Sequence, residues 1–234
     1  MLFFFYLSLL LGSIINFDRQ ACAQTMISRP LPTGLLVGLA AGLPQEGLTL
    51  GLWAELIFLS RSPLGGALLP NGSLAVSSSL CSLALLNVMG FKAPPSSGDG
   101  LLVLAFAALP PLSHLAAVLD ALNRGKAVKK IDRIKNSLTS GARLDLFSLN
   151  LSALPLTLLL SAAFIAISSF ALALIITLVF SLLGPAVILI ADRLAPLMPL
   201  CGLSFMLANL KLKELPSFSV AIMATLTLFW LKTN

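Results

Sequence analysis

The residue with the clearest chemical potential is Glu55, a carboxylic acid inside the apolar stretch formed by residues 48–59. An ionisable group in such a stretch is costly to place in a bilayer, so it normally faces a polar cavity or pairs with a base. A carboxylate that faces a cavity accepts hydrogen bonds from a polar ligand. The other interpretation is a packing role, in which Glu55 forms an ion pair with Arg29 or Arg61. We predict a ligand-binding role.

A second candidate cluster combines the glycine pair Gly65 and Gly66 with Pro70 and Asn71. The Asn71 amide offers two donors and an acceptor, which suits a sugar hydroxyl, and glycines let the backbone approach a ligand closely. Pro70, Asn71 and Gly72 would equally favour a simple turn. From the local sequence alone, the turn is the stronger interpretation.

The histidine and cysteine pattern does not indicate metal or nucleophilic chemistry. His114 is the only histidine, and one histidine cannot build a metal site without several partners. Cys22, Cys81 and Cys201 lie far apart and lack the spacing of a metal site. We therefore predict no catalytic residue, no metal and no cofactor, with the cysteines as small apolar fillers and His114 in a polar-lining or packing role.

Composition places these residues in a membrane protein. The chain has 234 residues, of which 58% are apolar and 10% charged, against roughly 25% charged in an ordinary soluble domain. Residues 62–91 and 146–191 contain no charged side chain at all. A bilayer core about 30 Å thick needs roughly 20 apolar residues for each helical crossing, so the longer run can cross twice. This composition excludes a cytosolic enzyme, a disulfide-stabilised secreted domain and a disordered tail.

The elements that position the candidate residues must be helices, because lipid tolerates only helices or closed barrels and no strand pattern is present. We predict an all-α polytopic membrane protein with about seven to nine apolar segments, some of them broken or re-entrant. Residues 35–59 illustrate the breaks, since Gly42 and Pro44 interrupt them. Gly184 and Pro185 are expected to bend the second crossing of the 146–191 run. The first apolar segment is expected to be a retained membrane helix and not a cleaved signal peptide.

Charge divides the chain into three regions. Residues 1–120 form an N-terminal membrane half with the candidate site, and residues 146–234 form a C-terminal membrane half. The intervening residues 121–145 carry seven basic side chains and two acidic ones. Basic loops between membrane segments accumulate on the cytoplasmic side, so we assign this loop to the cytoplasm and expect a short amphipathic helix in it.

Four sequence blocks together resemble a known family. They are residues 26–30 (MISRP), 36–42 (LVGLAAG), 47–57 (GLTLGLWAELI) and 65–71 (GGALLPN). Their order and spacing are similar to those of component C (enzyme IIC), a membrane subunit of the mannose/fructose/sorbose family of bacterial sugar phosphotransferase systems. The resemblance covers about residues 16–90, with a weaker match near residues 197–200.

The resemblance implies a multi-pass subunit of the bacterial inner membrane that translocates a sugar of the mannose/fructose/sorbose class. It implies a partner membrane subunit, component D, a homo-oligomer of the C–D complex, and cytoplasmic A and B components that pass on the phosphoryl group. Component C is not itself the phosphoryl carrier, and no phosphohistidine motif surrounds His114. The implied substrate-binding residues centre on Glu55, Pro70 and Asn71, with Arg29, Gly65 and Gly66 beside them.

Two positions depart from the family pattern, because this chain has Leu43 and Asn71 where family members commonly carry acids. We therefore predict a sugar-translocating subunit and keep two alternatives. One is a divergent membrane scaffold or sensor that no longer transports. The other is a phosphorylation-independent transporter of another small polar solute.

Overall fold

The computed structural model describes residues 2–20, 25–59, 69–91, 99–139 and 154–209, and within these ranges the regular structure is entirely helical. The expected all-α class is therefore confirmed. The helices are α1 (Leu2–Gln20), α2 (Pro30–Ala41), α3 (Pro44–Phe58), α4 (Gly72–Val88), α5 (Gly100–Ala107), α6 (Leu109–Thr139), α7 (Leu154–Leu183), α8 (Ala186–Leu194) and α9 (Met198–Asn209), with a single 3-10 turn at Ala195–Leu197 between the last two.

Among the described residues, three stretches are long and apolar enough to cross a membrane, namely Leu2–Arg19, Pro155–Leu183 and Ala186–Ser204. A fourth is possible if α5 and the first part of α6, which meet at a 40° bend, count as one broken span. The expected seven to nine apolar segments are thus not confirmed. Helices α2 and α4 are apolar but have only 12 and 17 residues, fewer than the roughly 20 that a crossing needs. The apolar segment at residues 215–231 lies outside the described residues.

The break at Gly184 differs from its expected role. Helix α7 is one helix of 30 residues that ends where Gly184 adopts a left-handed conformation, with φ of 71°. A glycine is favoured there because it has no Cβ to clash in that conformation. The break therefore separates two candidate spans instead of bending one of them.

Residues 30–58 form two antiparallel helices, α2 and α3, joined at Gly42, whose φ is 73°. With a rise of about 1.5 Å per residue, neither helix reaches the roughly 30 Å of a bilayer core. This α2–α3 hairpin consequently has the dimensions of a re-entrant element, as the interruptions in the sequence predicted.

Glycines allow the two helices of the hairpin to touch along their backbones. A methyl group on Gly38 would lie 2.7 Å from Cα of Gly47, and one on Gly34 would lie 2.7 Å from Cα of Gly51. Both distances are shorter than any real contact of that kind. The spacing of four residues within each pair places both glycines of a helix on one face, the arrangement known from close helix packing in membranes.

Helix α4 forms the centre of the described structure and packs against α1, α6 and α7. Most of its side chains are buried, including Ser77, Ser78 and Cys81. Ser168 of α7 donates a hydrogen bond of 2.7 Å to Ser78, and the Ser8 hydroxyl of α1 lies 3.3 Å from the Cys81 sulfur. Contacts between small polar residues thus connect these helices. Such contacts are expected in a membrane, because lipid tails are as apolar as the side chains and hydrophobic burial alone does not hold helices together.

The first prediction concerns the glycine contact of the hairpin. Gly47→Ala should lower the stability of the purified protein by about 1–3 kcal/mol or more, because the added methyl group meets backbone atoms that cannot move aside. Gly125→Ala is the matched control, since a methyl group there has no neighbour within 4 Å and alanine favours a helix. Thermal unfolding in detergent measures both, and equal midpoints would contradict the described packing.

Candidate functional site

A cavity of about 270 Å³ lies at the open end of the α2–α3 hairpin, next to the start of α4. Side chains from α1, α3 and the segments before α2 and α4 surround it. They are Arg19, Ser28, Arg29, Pro30, Glu55, Phe58, Leu59, Leu69, Pro70 and Gly72. The cavity therefore gathers residues from four separate parts of the chain.

Glu55 makes two contacts with the beginning of α2. Its Oε1 atom lies 3.3 Å from Nη1 of Arg29, and its Oε2 atom accepts a hydrogen bond of 3.1 Å from the backbone N–H of Leu31. Leu31 is the second residue of α2, where backbone N–H groups have no partner within the helix. The carboxylate also lies favourably in the positive end of the helix dipole.

The ion pair is asymmetric in its exposure. The Glu55 side chain is 18% exposed, whereas that of Arg29 is 53% exposed. Both residues line the cavity. The two interpretations of Glu55 from the sequence are therefore compatible, because the carboxylate faces the cavity and pairs with Arg29 at once. The other pairing residue considered, Arg61, lies outside the described residues.

Two helix starts meet at this cavity, since Pro30 is the first residue of α2 and Gly72 the first of α4. A methyl group on Gly72 would lie 2.8 Å from the Phe58 ring and 2.9 Å from Cγ of Pro30, so only glycine permits this approach. Interrupted helices commonly direct such positive N-terminal ends at a substrate site in membrane transporters.

Another part of the cavity edge is formed by Leu69 and Pro70. Their carbonyl oxygens lie 3.4 Å from the Arg19 guanidinium, from Nη2 and Nη1 respectively. Arg19 was not among the residues selected from the sequence. The sequence does show a basic residue at the end of the first apolar segment. Nothing in the sequence, however, connects that arginine with Pro70.

Asn71 is completely buried beside this edge and does not line the cavity. Its Oδ1 atom accepts hydrogen bonds from the Ser73 hydroxyl at 2.8 Å and from the Leu74 N–H at 3.1 Å. Its Nδ2 atom donates to Oδ1 of Asn16 at 2.8 Å and to Oδ2 of Asp120 at 2.9 Å. The amide thus uses its donors and acceptor inside the protein while capping α4.

We call Asn16, Asn71, Ser73, Asp120 and Ser161 the Asn71 network. Asn16 extends it to α7, because its amide donates a hydrogen bond of 2.8 Å to the Ser161 hydroxyl. Asn16 and Asp120 were not selected from the sequence. Each lies near the end of a different apolar segment, and the sequence does not indicate that the two segments bring them together.

The residues selected from the sequence are consequently distributed in three ways. Glu55, Arg29 and Pro70 meet at one cavity, Asn71 lies behind its edge, and Gly65 and Gly66 lie outside the described residues. His114 is exposed on α6. Within the part of the chain that the structure describes, no three His, Cys, Asp or Glu side chains form a group suited to a metal ion.

A second, more open cavity of about 480 Å³ lies against the same ion pair. Arg29, Glu55 and Leu59 line both cavities. The second is completed by Thr25, Met26 and Ile27 before α2 and by Leu31 and Pro32 in its first turn. The Arg29–Glu55 pair therefore borders both spaces.

A family model described as the PTS system sorbose-specific IIC component, where PTS denotes a phosphotransferase system, matches residues 2–229. Because the match covers nearly all of the chain, this protein belongs to that family. The resemblance recognised in the four sequence blocks is confirmed, and the chain is a membrane component of a sugar phosphotransferase system. No curated protein and no solved structure matches the chain.

The second prediction separates the two contacts of Glu55. Glu55→Ala leaves the Leu31 N–H without its acceptor and should cost about 0.5–2 kcal/mol of stability, as the loss of a helix cap does. Arg29→Ala removes only a half-exposed ion pair and should cost about 0–1 kcal/mol. Glu55→Gln keeps an oxygen that accepts from the Leu31 N–H, so its loss of stability should be similar to that of Arg29→Ala. Thermal unfolding would contradict this account if Arg29→Ala were as damaging as Glu55→Ala.

Proposed function

We propose that this member of the sorbose-specific IIC family is the sugar-translocating subunit of a bacterial phosphoenolpyruvate-dependent phosphotransferase system of the mannose/fructose/sorbose type. The observation that supports the proposal most strongly is the cavity that Glu55 and Arg29 share with the starts of two short helices, α2 and α4. Family membership indicates a sugar and the phosphotransferase partners. In this proposal the sugar binds in that cavity.

The chemistry of the cavity suits a hexose. Adjacent hydroxyls of a sugar ring donate and accept hydrogen bonds, and Glu55 and Arg29 supply an acceptor and a donor side by side. Hydrogen bonds with a charged partner are about twice as strong as neutral ones. The volume of about 270 Å³ is slightly below the roughly 300–1,000 Å³ of pockets for drug-sized ligands, which suits a smaller molecule.

In this proposal each selected residue has a role. Glu55 accepts hydrogen bonds from sugar hydroxyls and Arg29 donates to them, while the Pro70 segment forms part of the cavity wall. Gly65 and Gly66 allow close approach of the backbone. Asn71 contributes indirectly by fixing the Pro70 segment, because its amide is already hydrogen-bonded within the protein.

Movement of a compact unit that carries this cavity past a fixed scaffold would expose the sugar to each side of the membrane in turn, which is how interrupted-helix transporters commonly work. The phosphoryl group is delivered to the sugar by the cytoplasmic A and B components, so this chain supplies no phosphoryl carrier. We place the chain in the bacterial inner membrane as a multi-pass protein bound to component D, in a homo-oligomer of the C–D complex. Interrupted helices require such protein surroundings, because lipid cannot satisfy their free backbone groups.

The third prediction tests Glu55 in transport. In cells that express the chain with components A, B and D, Glu55→Gln should reduce uptake of radiolabelled mannose, fructose or sorbose about tenfold or more, through loss of a charged hydrogen bond. Glu46→Gln is the matched control, because Glu46 lies on the same helix but does not line the cavity.

The amount of folded protein in the membrane should be equal for both variants and the parent chain. Normal uptake by Glu55→Gln at normal abundance would contradict the proposed site. Absence of uptake by the parent chain would favour the scaffold or sensor instead, and uptake that continues without components A and B would favour a phosphorylation-independent transporter.

The fourth prediction tests the proposed division into membrane halves around residues 121–145. A cysteine introduced at Lys130, in a chain whose Cys22 and Cys201 are replaced by serine, should react with a membrane-impermeant thiol reagent only after cell lysis. The reason is that the seven basic side chains of this region favour the cytoplasmic side. Labelling in intact cells would reverse the proposed orientation.

A further inference from the structure

We infer that Asp120 is a positioning residue for the sugar cavity, which acts through Asn71 on the Leu69–Pro70 edge. Asp120 does not line the cavity itself. The inference rests on the proposed function, since it assumes that the cavity binds the sugar.

Helix α6 holds Asn71 at two points. The Asn71 N–H donates a hydrogen bond of 3.0 Å to the carbonyl oxygen of Ser113, and the Asn71 side chain donates to Asp120 at 2.9 Å. Ser113 and Asp120 are seven residues apart, two turns along the same face of α6. Both the backbone and the side chain of Asn71 are thus fixed by one helix.

Because the chain neighbours of Asn71 line the cavity, the position of Asn71 determines the position of part of the cavity wall. Pro70 precedes it and Gly72 follows it, and both line the cavity. A displacement of Asn71 therefore moves a wall residue and the start of α4 together. A displacement of about 1 Å in a group that contacts the substrate can lower a reaction rate substantially. We expect the position of this edge to affect sugar affinity in the same way.

Asp120 is suited to this role because the residue is only 4% exposed and lies in the apolar first part of α6. An acid in such surroundings must be compensated by polar partners. The Asn71 amide is one of these partners, and a charged acceptor makes their hydrogen bond stronger than a neutral pair would. Asp120 therefore restrains Asn71 more firmly than an uncharged residue of the same shape.

The experiment exchanges the two side chains. Asn71→Asp alone would place two carboxylates where the 2.9 Å hydrogen bond now lies, so they would repel each other. The double variant Asn71→Asp with Asp120→Asn restores one amide donor facing one carboxylate. Aspartate remains a good cap for α4, because Ser73 and Leu74 can still donate to it. If the Asn16 amide turns over, its NH2 group donates to the new carboxylate and its oxygen accepts from Ser161.

The first readout is the KM for uptake of radiolabelled mannose, fructose and sorbose in cells with components A, B and D. Asp120→Ala and Asn71→Asp should each raise KM about tenfold, and the exchanged double variant should return it close to the parent value. Ser168→Ala is the matched control. It removes a buried hydrogen bond between α7 and α4, two turns along α4 from Asn71, and should leave KM unchanged.

The second readout does not need a sugar. Leu69→Cys, in a chain whose Cys22 and Cys201 are serine, places a thiol on the edge itself, and its reaction rate with a negatively charged methanethiosulfonate reports the position of that edge. The rate should change severalfold on adding Asp120→Ala or Asn71→Asp, return in the exchanged variant and stay constant with Ser168→Ala.

The outcomes distinguish this inference from the proposed function. Restored KM and restored thiol reactivity in the exchanged variant would support the inference. An unchanged KM in Asp120→Ala, or no recovery in the exchanged variant, would overturn it. If the parent chain takes up none of the sugars, the proposed function fails and the inference fails with it. If the Leu69→Cys reaction rate still changed in the Asp120→Ala variant of such a chain, Asp120 would have a purely structural role.

Discussion

The backbone contact between α2 and α3 is the constraint on which the candidate site depends. Gly34 and Gly38 on one helix face Gly51 and Gly47 on the other, at distances that no side chain could occupy. Continuing along α3 by one turn from Gly51 brings Glu55 to the first turn of α2, where it reaches the Leu31 N–H. Helices separated by ordinary side chains would keep that carboxylate several ångströms away.

Interrupted helices create a second constraint, because each new helix start presents N–H groups that need partners in an apolar environment. Three starts receive a side chain oxygen. Glu55 accepts from α2, Asn71 caps α4, and Oδ1 of Asp192 on α8 accepts a hydrogen bond of 2.7 Å from the Asp99 N–H at the start of α5. Glu55 differs from Asn71 because it also faces a cavity, so in the proposed function the same group that stabilises a helix start is available to a ligand.

The sequence was sufficient to predict those features that a single segment encodes. An acid in an apolar run identified Glu55, and glycines and prolines identified the interruption of residues 35–59. Contacts between distant segments could not be settled from the sequence. It offered Arg29 as one of two ion-pair partners of Glu55, and that contact requires the packing of α2 against α3. The placement of Arg19 at the Pro70 edge and the meeting of Asn16, Asn71 and Asp120 require the packing of α1, α4 and α6. The expected seven to nine apolar segments stay unconfirmed, because apolar composition does not reveal that α2 and α4 have only 12 and 17 residues.

The most direct test of the account is a structure of the C–D complex determined with a bound sugar of the mannose/fructose/sorbose class. The account predicts that ring hydroxyls lie within hydrogen-bond distance of the Glu55 carboxylate and the Arg29 guanidinium, against the Leu69–Pro70 edge. A sugar bound elsewhere in the complex, with the Arg29–Glu55 pair and its cavity as they are without the sugar, would contradict it.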